Sequence, residues 1–554
     1  MKARLKLFPT VLALIFLLSV FSLGTAADVN YDAHDAEKFR AFLEETDADG
    51  VTNGSKINAL YDPNDPSTWT GEGFSEYKSG VNWNEDGRAA AFYCASYDNG
   101  VVYGDFDVSN CDALEYVYIY GAAIESVNFD GCTSLSELTM CYPEVPLEQI
   151  DLSGNTALTS IILNDNALME LDLSGNTDLT HLFVEGNNLT GLDLSGNPNL
   201  THLFVDDNDL TELDISNNMK LVHIICGRNN IKEIDLTGHS ELVDLYCNYN
   251  ELTALNTSEC PELIYLQFNY NNIESIDLSQ NPEITSLGCA GNGLTELNVS
   301  GLTELWEIAC QENELTSLDL RDTGIEVLYC FDNMLEQILF PENSNILGVH
   351  CQNNRLSSLD LKNTRNLSTF NGDGNLFEEL IISLNSDDFS CIGNPMRHLS
   401  VRHNSGSFEL FVEGNGTIGA YYNYELMKHI AMAEAGDGET FLGWYDENGN
   451  LASGAADYAL DSADSALYAR FSVSGEPTPT PSAPVIDPTE APVGPTQAPV
   501  DPTQAPVDPT QAPVDPDPDD PTPPTTGAVS LICIGLAVAA GGASAMLLRR
   551  KSGR

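Results

Sequence analysis

Leu179-Thr180-His181-Leu182-Phe183-Val184-Glu185-Gly186-Asn187-Asn188-Leu189 is one instance of the pattern that organises this chain. Its Asn187 belongs to a file, Asn166, Asn187, Asn208, Asn229, Asn250, Asn271, Asn292 and Asn313, spaced by 21. After one 20-residue step the file continues through Asn333, Asn354 and Asn375. Around each Asn the chain reads Leu-x-x-Leu-x-Φ-x-x-Asn-x-Leu, where Φ is apolar. A residue recurring at one interval over so many copies means stacked, similar coils. One coil cannot bury its own leucines, so each needs a neighbour above and below, and the leucines form a continuous core. The Asn stands where the chain turns at the end of a strand, where its amide can bond backbone groups left unpaired; the file reads as structural.

Each coil holds a weaker second copy of the pattern, as in Leu189, Leu192, Leu194 and Asn197. An acid recurs in it as Asp151, Asp172, Asp193, Asp214, Asp235, Asp277, Asp319 and Asp360, with Asn256 and Asn298 in two gaps. The period is therefore a nested 10 plus 11. In this half the Asn degenerates to His239, Cys260 and Leu302, whereas the first file never breaks. The main parallel sheet, lining the concave side, is thus assigned to the first half, and the second half to the opposite wall, with room for short strands there. The pattern resembles the leucine-rich repeat family over about half the chain. That resemblance implies a mostly β (α+β) solenoid with a parallel sheet, in which function sits in what varies between coils.

Most of the thirteen cysteines follow the repeat. Cys226, Cys247, Cys289, Cys310, Cys330 and Cys351 occupy the inward Φ position that is Val184 and Val205 in earlier coils, and Cys391 fits it again. Cys111, Cys132 and Cys260 stand where Asn155 stands. They read as small buried apolar residues rather than disulfide partners. Cys94 and Cys141 lie off these files and could pair or stay free.

Residues 1–27 carry Lys2, Arg4 and Lys6, an apolar run from Val11 to Leu23 and small residues at 24–27, the layout of a secretory signal peptide. Residues 28–110 form an N-terminal cap, with a short helix capped by Asp35 and carrying Phe39, Phe42 and Leu43; Asp47-Ala48-Asp49-Gly50 hints weakly at a calcium loop. The solenoid spans 111–407. Residues 408–473 lose the period; Gly414-Asn415-Gly416-Thr417, Phe441-Leu442-Gly443-Trp444-Tyr445 and Leu467-Tyr468-Ala469-Arg470-Phe471 resemble the B-repeat of internalin-type surface proteins, which implies a small β domain. Residues 474–526 are a Pro-rich, disordered, extended stalk. Pro523-Pro524-Thr525-Thr526-Gly527 resembles the Leu-Pro-x-Thr-Gly sortase signal, with Pro523 in place of Leu. An apolar run over 528–548, long enough for a transmembrane helix, and the basic Arg549-Arg550-Lys551 follow within 527–554. By that resemblance a sortase cuts after Thr526, next to Pro524 and Gly527, and joins the chain to peptidoglycan. The alternative is a plain membrane anchor through 528–548.

The formal charge is −60. Such a field repels nucleic acid, which is excluded as a partner, and favours solubility and uptake of cations. No metal ligand set converges within a coil and no cofactor is implied, although the Asp file could gather Ca2+ weakly. No nucleophile elbow, zinc motif or phosphate loop is present, so an enzyme is not expected.

On a strand, residues alternate inward and outward. With Leu182 and Val184 inward, three outward files follow. The first reads His181, His202, His223, Asp244 and Tyr265; the second Phe183, Phe204, Ile225 and Tyr246; the third begins Glu185, Asp206 and Gly227. An aromatic stripe rimmed by His and acids is read as the ligand face, with His181, Phe183, Glu185, His202, Phe204, Asp206, His223, Tyr246 and Tyr265 as its binding residues. Cross-coil stacking that merely steadies the sheet is the competing reading. The expected function is an exported surface protein, wall-anchored in a Gram-positive bacterium, that binds an extracellular protein or glycan; the alternative is a surface spacer without a specific ligand.

Overall fold

A computed structural model describes residues 30–71, 79–95, 101–342, 345–361, 364, 366–403, 406–460 and 466–472. The expected signal peptide, stalk, sorting signal and 528–548 span lie outside these. Among the described residues no helix is long and apolar enough to cross a membrane.

The 21-residue period becomes one short strand per coil. His181–Phe183, His202–Phe204, His223–Ile225, Asp244–Tyr246 and Tyr265–Gln267 pair in parallel with no register shift, so that His181 faces His202 and Phe183 faces Phe204. Files in the sequence are therefore files in space. Among the described residues these strands belong to a 19-stranded sheet, parallel along the coils and closed at its ends by antiparallel strands. Leu182, Leu203, Ile224 and Leu245, with Val184, Val205, Cys226 and Cys247, are fully buried in one continuous apolar core. The Φ cysteines carry unbridged thiols, and burial pushes the Cys247 thiol up to about 12.

The first Asn file is satisfied on every side. Asn229 donates to the carbonyls of Val205 in the coil before (2.9 Å) and Cys226 in its own coil (3.2 Å), and accepts from the Leu210 amide at 2.9 Å. Asn187, Asn208, Asn250 and Asn271 repeat the same three bonds. The second-half Asn residues mainly donate: Asn197 bonds the carbonyls of Leu173 and Asn176, while its buried Oδ1 has no hydrogen-bond partner. A site that uses both donor and acceptor admits only Asn; one that uses the donor alone loses less to His239, Cys260 or Leu302.

Just before each first-file Asn the backbone turns left-handed. Asp165, Gly186, Asp207, Arg228, Tyr249, Tyr270, Gly291, Glu312, Asp332, Asn353 and Gly374 all have φ between 45° and 67°. The Asp file of the second half holds its own turns: Asp172, Asp193, Asp214 and Asp235 accept from the amide two residues on at 2.9–3.0 Å. Short parallel strands do occur on this wall, Ser317–Asp319 with Gln337–Leu339 and Glu379–Ser383 with His398–His403.

Four expectations change. The helix Ala33–Glu44 is capped by Asp32, whose carboxylate accepts from His34 and Asp35 amides. Asp35 instead turns inward, fully buried, to bind Arg88 at 2.8 Å. Asp47 binds Lys56 at 2.9 Å and its own loop amides, not an open calcium loop. Cys94 stands opposite Ile119, on the inward Φ file, whereas Cys141 stands opposite Tyr120, on the outward side. Two strands apart and on opposite faces, they cannot pair. Finally, parallel pairing begins at Ala89–Ala95, within the segment assigned to the cap.

At the other end, Gly406–Glu413 pairs antiparallel with His398–His403, and Gly416–Asn423 pairs antiparallel with Asp388–Ser390. Both walls of the solenoid thus run on into residues 406–472. Trp444, Leu467, Ala469 and Phe471 share the core of the last coils. A solenoid end exposes apolar core unless it is covered, and these strands cover it.

Candidate functional site

The concave files are built by register alone. Because neighbouring strands lie ~4.8 Å apart, rings at equivalent positions meet face to face. His181 stacks on His202 with centroids 4.4 Å apart and Phe183 on Phe204 at 4.5 Å, while His223 lies tilted against His202 at 4.5 Å. Phe183 and Phe204 alternate with Leu182 and Leu203, which are fully buried in the continuous apolar core. Yet they are less open than alternation predicts. Phe183 is 7% exposed and Tyr246 8%, because each ring's faces are covered by its neighbours. His181, His202, Phe204, His223 and Tyr265 are half-buried.

His181 and His202 are held neutral. Thr180 Oγ1 donates its one proton to the Thr159 carbonyl at 2.9 Å and lies 2.8 Å from His181 Nδ1, so Nδ1 must be the donor. Thr201 does the same for His202, at 3.0 and 2.9 Å. Burial, then the neighbouring histidines, pulls His202 down to about 3; His181 is lowered for the same reasons. The file ends where His223 Nδ1 meets Asp244 Oδ2 at 2.5 Å.

The third file is acidic. Glu185 accepts from the Asn164 amide at 2.6 Å. Desolvation, then the like charge of Asp206, pushes its carboxyl up to about 7. Asp206, also raised by burial, is bound by Arg228 at 2.6 Å. Gly227 leaves room for this: a Cβ there would lie 2.4 Å from Asp206 Oδ1. The structure thus brings together His181, His202, His223 and Asp244, the Phe183–Phe204 pair, and Glu185 with Asp206. Tyr246 and Tyr265 sit one and two coils beyond His223, in register with Gln267 and Asp244 respectively.

Three features escaped the sequence reading. Arg228 neutralises Asp206. Tyr249 and Tyr270, at the left-handed positions, stack at 4.6 Å on the rim, and Tyr270 bonds Glu312 at 2.9 Å across Gly291. A cavity of about 280 Å³ opens where the last coils meet the C-terminal strands, lined by His350, Phe370, Asp388, Phe389, Tyr421 and Tyr424 among others. The first two stand in positions of the repeat that the alternation argument did not weigh; the third joins residues from distant elements.

No protein-family profile matches the chain, and no curated protein does. Among solved structures it is similar to the functional domain of InlJ from Listeria monocytogenes, which includes a cysteine ladder (20% identity, 66% of this chain and 89% of that one, TM-score 0.41). It is also similar to the internalin InlF of the same organism (18% identity, 62% and 89%, TM-score 0.43) and to YopM, a leucine-rich effector protein of Yersinia pestis (23% identity, 44% and 63%, TM-score 0.32).

Proposed function

We propose that this chain is a non-enzymatic, cell-surface leucine-rich repeat protein that binds an extracellular protein or glycan through its concave sheet. The observation that supports it is the run of three adjoining outward files, imidazole, aromatic and acidic, from His181 to Tyr265. Ring edges and carboxylates stand side by side there, a mixture suited to apolar contact flanked by polar selection. Anchoring rests on the Pro524-Thr525-Thr526-Gly527 signal, the 528–548 run and the basic tail, with sortase and peptidoglycan, or the membrane itself, as partners.

A second reading is favoured by the low exposure of Phe183 and Tyr246: the stacks stiffen a spacer that has no specific ligand. The test is an array of glycans and matrix proteins probed with the full-length chain and with F183S/F204S/Y246S, each with and without calcium. Circular dichroism checks that the fold is kept. Binding by the parent and its loss in the variant support the binding face; unchanged binding places the face elsewhere, and no binding by either supports the spacer.

A further inference from the structure

Asp387, His403 and His429 converge where the C-terminal strands join the last coil. Asp387 immediately precedes the strand Asp388–Ser390, His403 ends His398–His403, and His429 stands near the start of Lys428–Ala435. A ligand-type atom from each lies within 4.8 Å of the other two. His403 Nδ1 is 3.0 Å from Asp387 Oδ1, and the two imidazole centroids are 4.8 Å apart.

His429 carries the decisive detail. It is 7% exposed, and its Nε2 has no hydrogen-bond partner. A buried ring nitrogen left unmet costs about 1–3 kcal/mol unless something meets it. The rings of Phe408, Tyr422 and Phe389, with centroids 5.2, 5.1 and 6.5 Å away, form an apolar wall behind it. The side chain of Asp387, 37% exposed, leaves the cluster open to solvent on one side.

We propose that Asp387, His403 and His429 form a site for a borderline divalent transition metal, best suited to Zn2+, that clamps the C-terminal strands to the last coil. Two imidazoles and one carboxylate suit Zn2+, whereas Ca2+ and Mg2+ take all-oxygen sets. A fourth position is left for water. The three ligands come from the two walls and from a strand added beyond the repeats, so a bound ion ties together parts that the repeat register does not join. An ion bound only by the folded chain also raises its stability.

The full-length chain, stripped with chelator, is titrated with Zn2+ and with Co2+, alongside H403Q and H429Q. Glutamine keeps a polar side chain of similar size and removes the imidazole. We expect one tightly held equivalent of Zn2+ in the parent, affinity lower by about tenfold or more in each variant, a melting temperature that Zn2+ raises only in the parent, and Co2+ spectra without a thiolate charge-transfer band. Failure of the parent to hold one equivalent, unchanged affinity in both variants, or a thiolate band that assigns the ion to the cysteines would each overturn the site. Should a variant not fold, the parent's stoichiometry and Co2+ spectrum decide.

Discussion

His223 Nδ1 and Asp244 Oδ2 meet at 2.5 Å, and that contact closes the histidine file on its downstream side. Upstream, His181 and His202 are stacked and neutral, their Nδ1 hydrogens taken by threonine hydroxyls. Protonating His202 would place a charge between two stacked rings in a desolvated file, so His202 prefers to stay neutral, and that preference is measurable.

His202 is pulled down to about 3 from its ordinary 6.5. As pH falls through 6.5 the unfolded chain takes up this proton and the folded chain does not, so native stability is full above 6.5 and declines toward pH 3. His202→Phe keeps a stacked ring and removes the titration. Urea unfolding at pH 5 and pH 8 should show the variant losing about 1–2 kcal/mol less than the parent on acidification. An equal loss in both would refute the neutral stack.

Glu185 titrates in the opposite sense. Its pKa is raised from 4.5 to about 7, so the folded chain holds the proton more tightly, and stability falls as pH rises from 4.5 to 7. Glu185→Gln preserves the acceptor for Asn164 and removes the buried charge beside Asp206. At pH 8 the variant should be more stable by about 1–3 kcal/mol, with the gain shrinking below pH 7 and gone below 4.5.

The solenoid was legible because its period is written many times over. Leu182 and Val184 against Asn187 settle the inward positions, the turn and the register, and with them the identity of every outward file. Exposure was not legible in the same way. Alternation says that Phe183 points outward, but not that Phe204, one strand away, covers it. Non-repeating parts were read less well. Asp32 and Asp35 are equally good caps by residue type, and only the ion pair that Arg88 makes with the buried Asp35 decides between them. Cys94 seemed off the files because its strand, Ala89–Ala95, precedes the first recognisable repeat. Asp387, His403 and His429 lie 16 and 26 residues apart in three different elements, a spacing that signals nothing until the C-terminal strands fold back on the last coil.

The Asn file should tolerate no apolar substitute. In Asn229→Ala the buried Leu210 amide loses its side-chain acceptor, and the carbonyls of Val205 and Cys226 each lose one of two Asn donors, keeping Asn208 and Asn250. We expect a loss of about 2–4 kcal/mol. Because coils contact only their neighbours, the damage should be local. Hydrogen exchange should quicken at the Leu210 amide well before coils near Asn354 respond. A Leu210 amide as protected as in the parent would show that the Asn side chain is dispensable.

Left-handed turns give a prediction with the reverse sign. Asp207 has φ 59° and an exposed side chain; its backbone amide bonds the Gly227 carbonyl at 3.0 Å, an interaction that any residue there retains. Gly186 and Gly291 occupy the same position in other coils, so the backbone already accommodates glycine. For a residue with a Cβ this conformation costs about 1–2 kcal/mol, while glycine adds entropy to the unfolded chain that offsets part of the relief. Asp207→Gly should therefore stabilise by about 0.5–1 kcal/mol, and it also removes one acid from a crowded edge beside Asp206. Asp207→Val, β-branched at the same φ, should destabilise by at least about 1 kcal/mol. If urea midpoints rank valine at or above aspartate, the left-handed turn is not what this position demands.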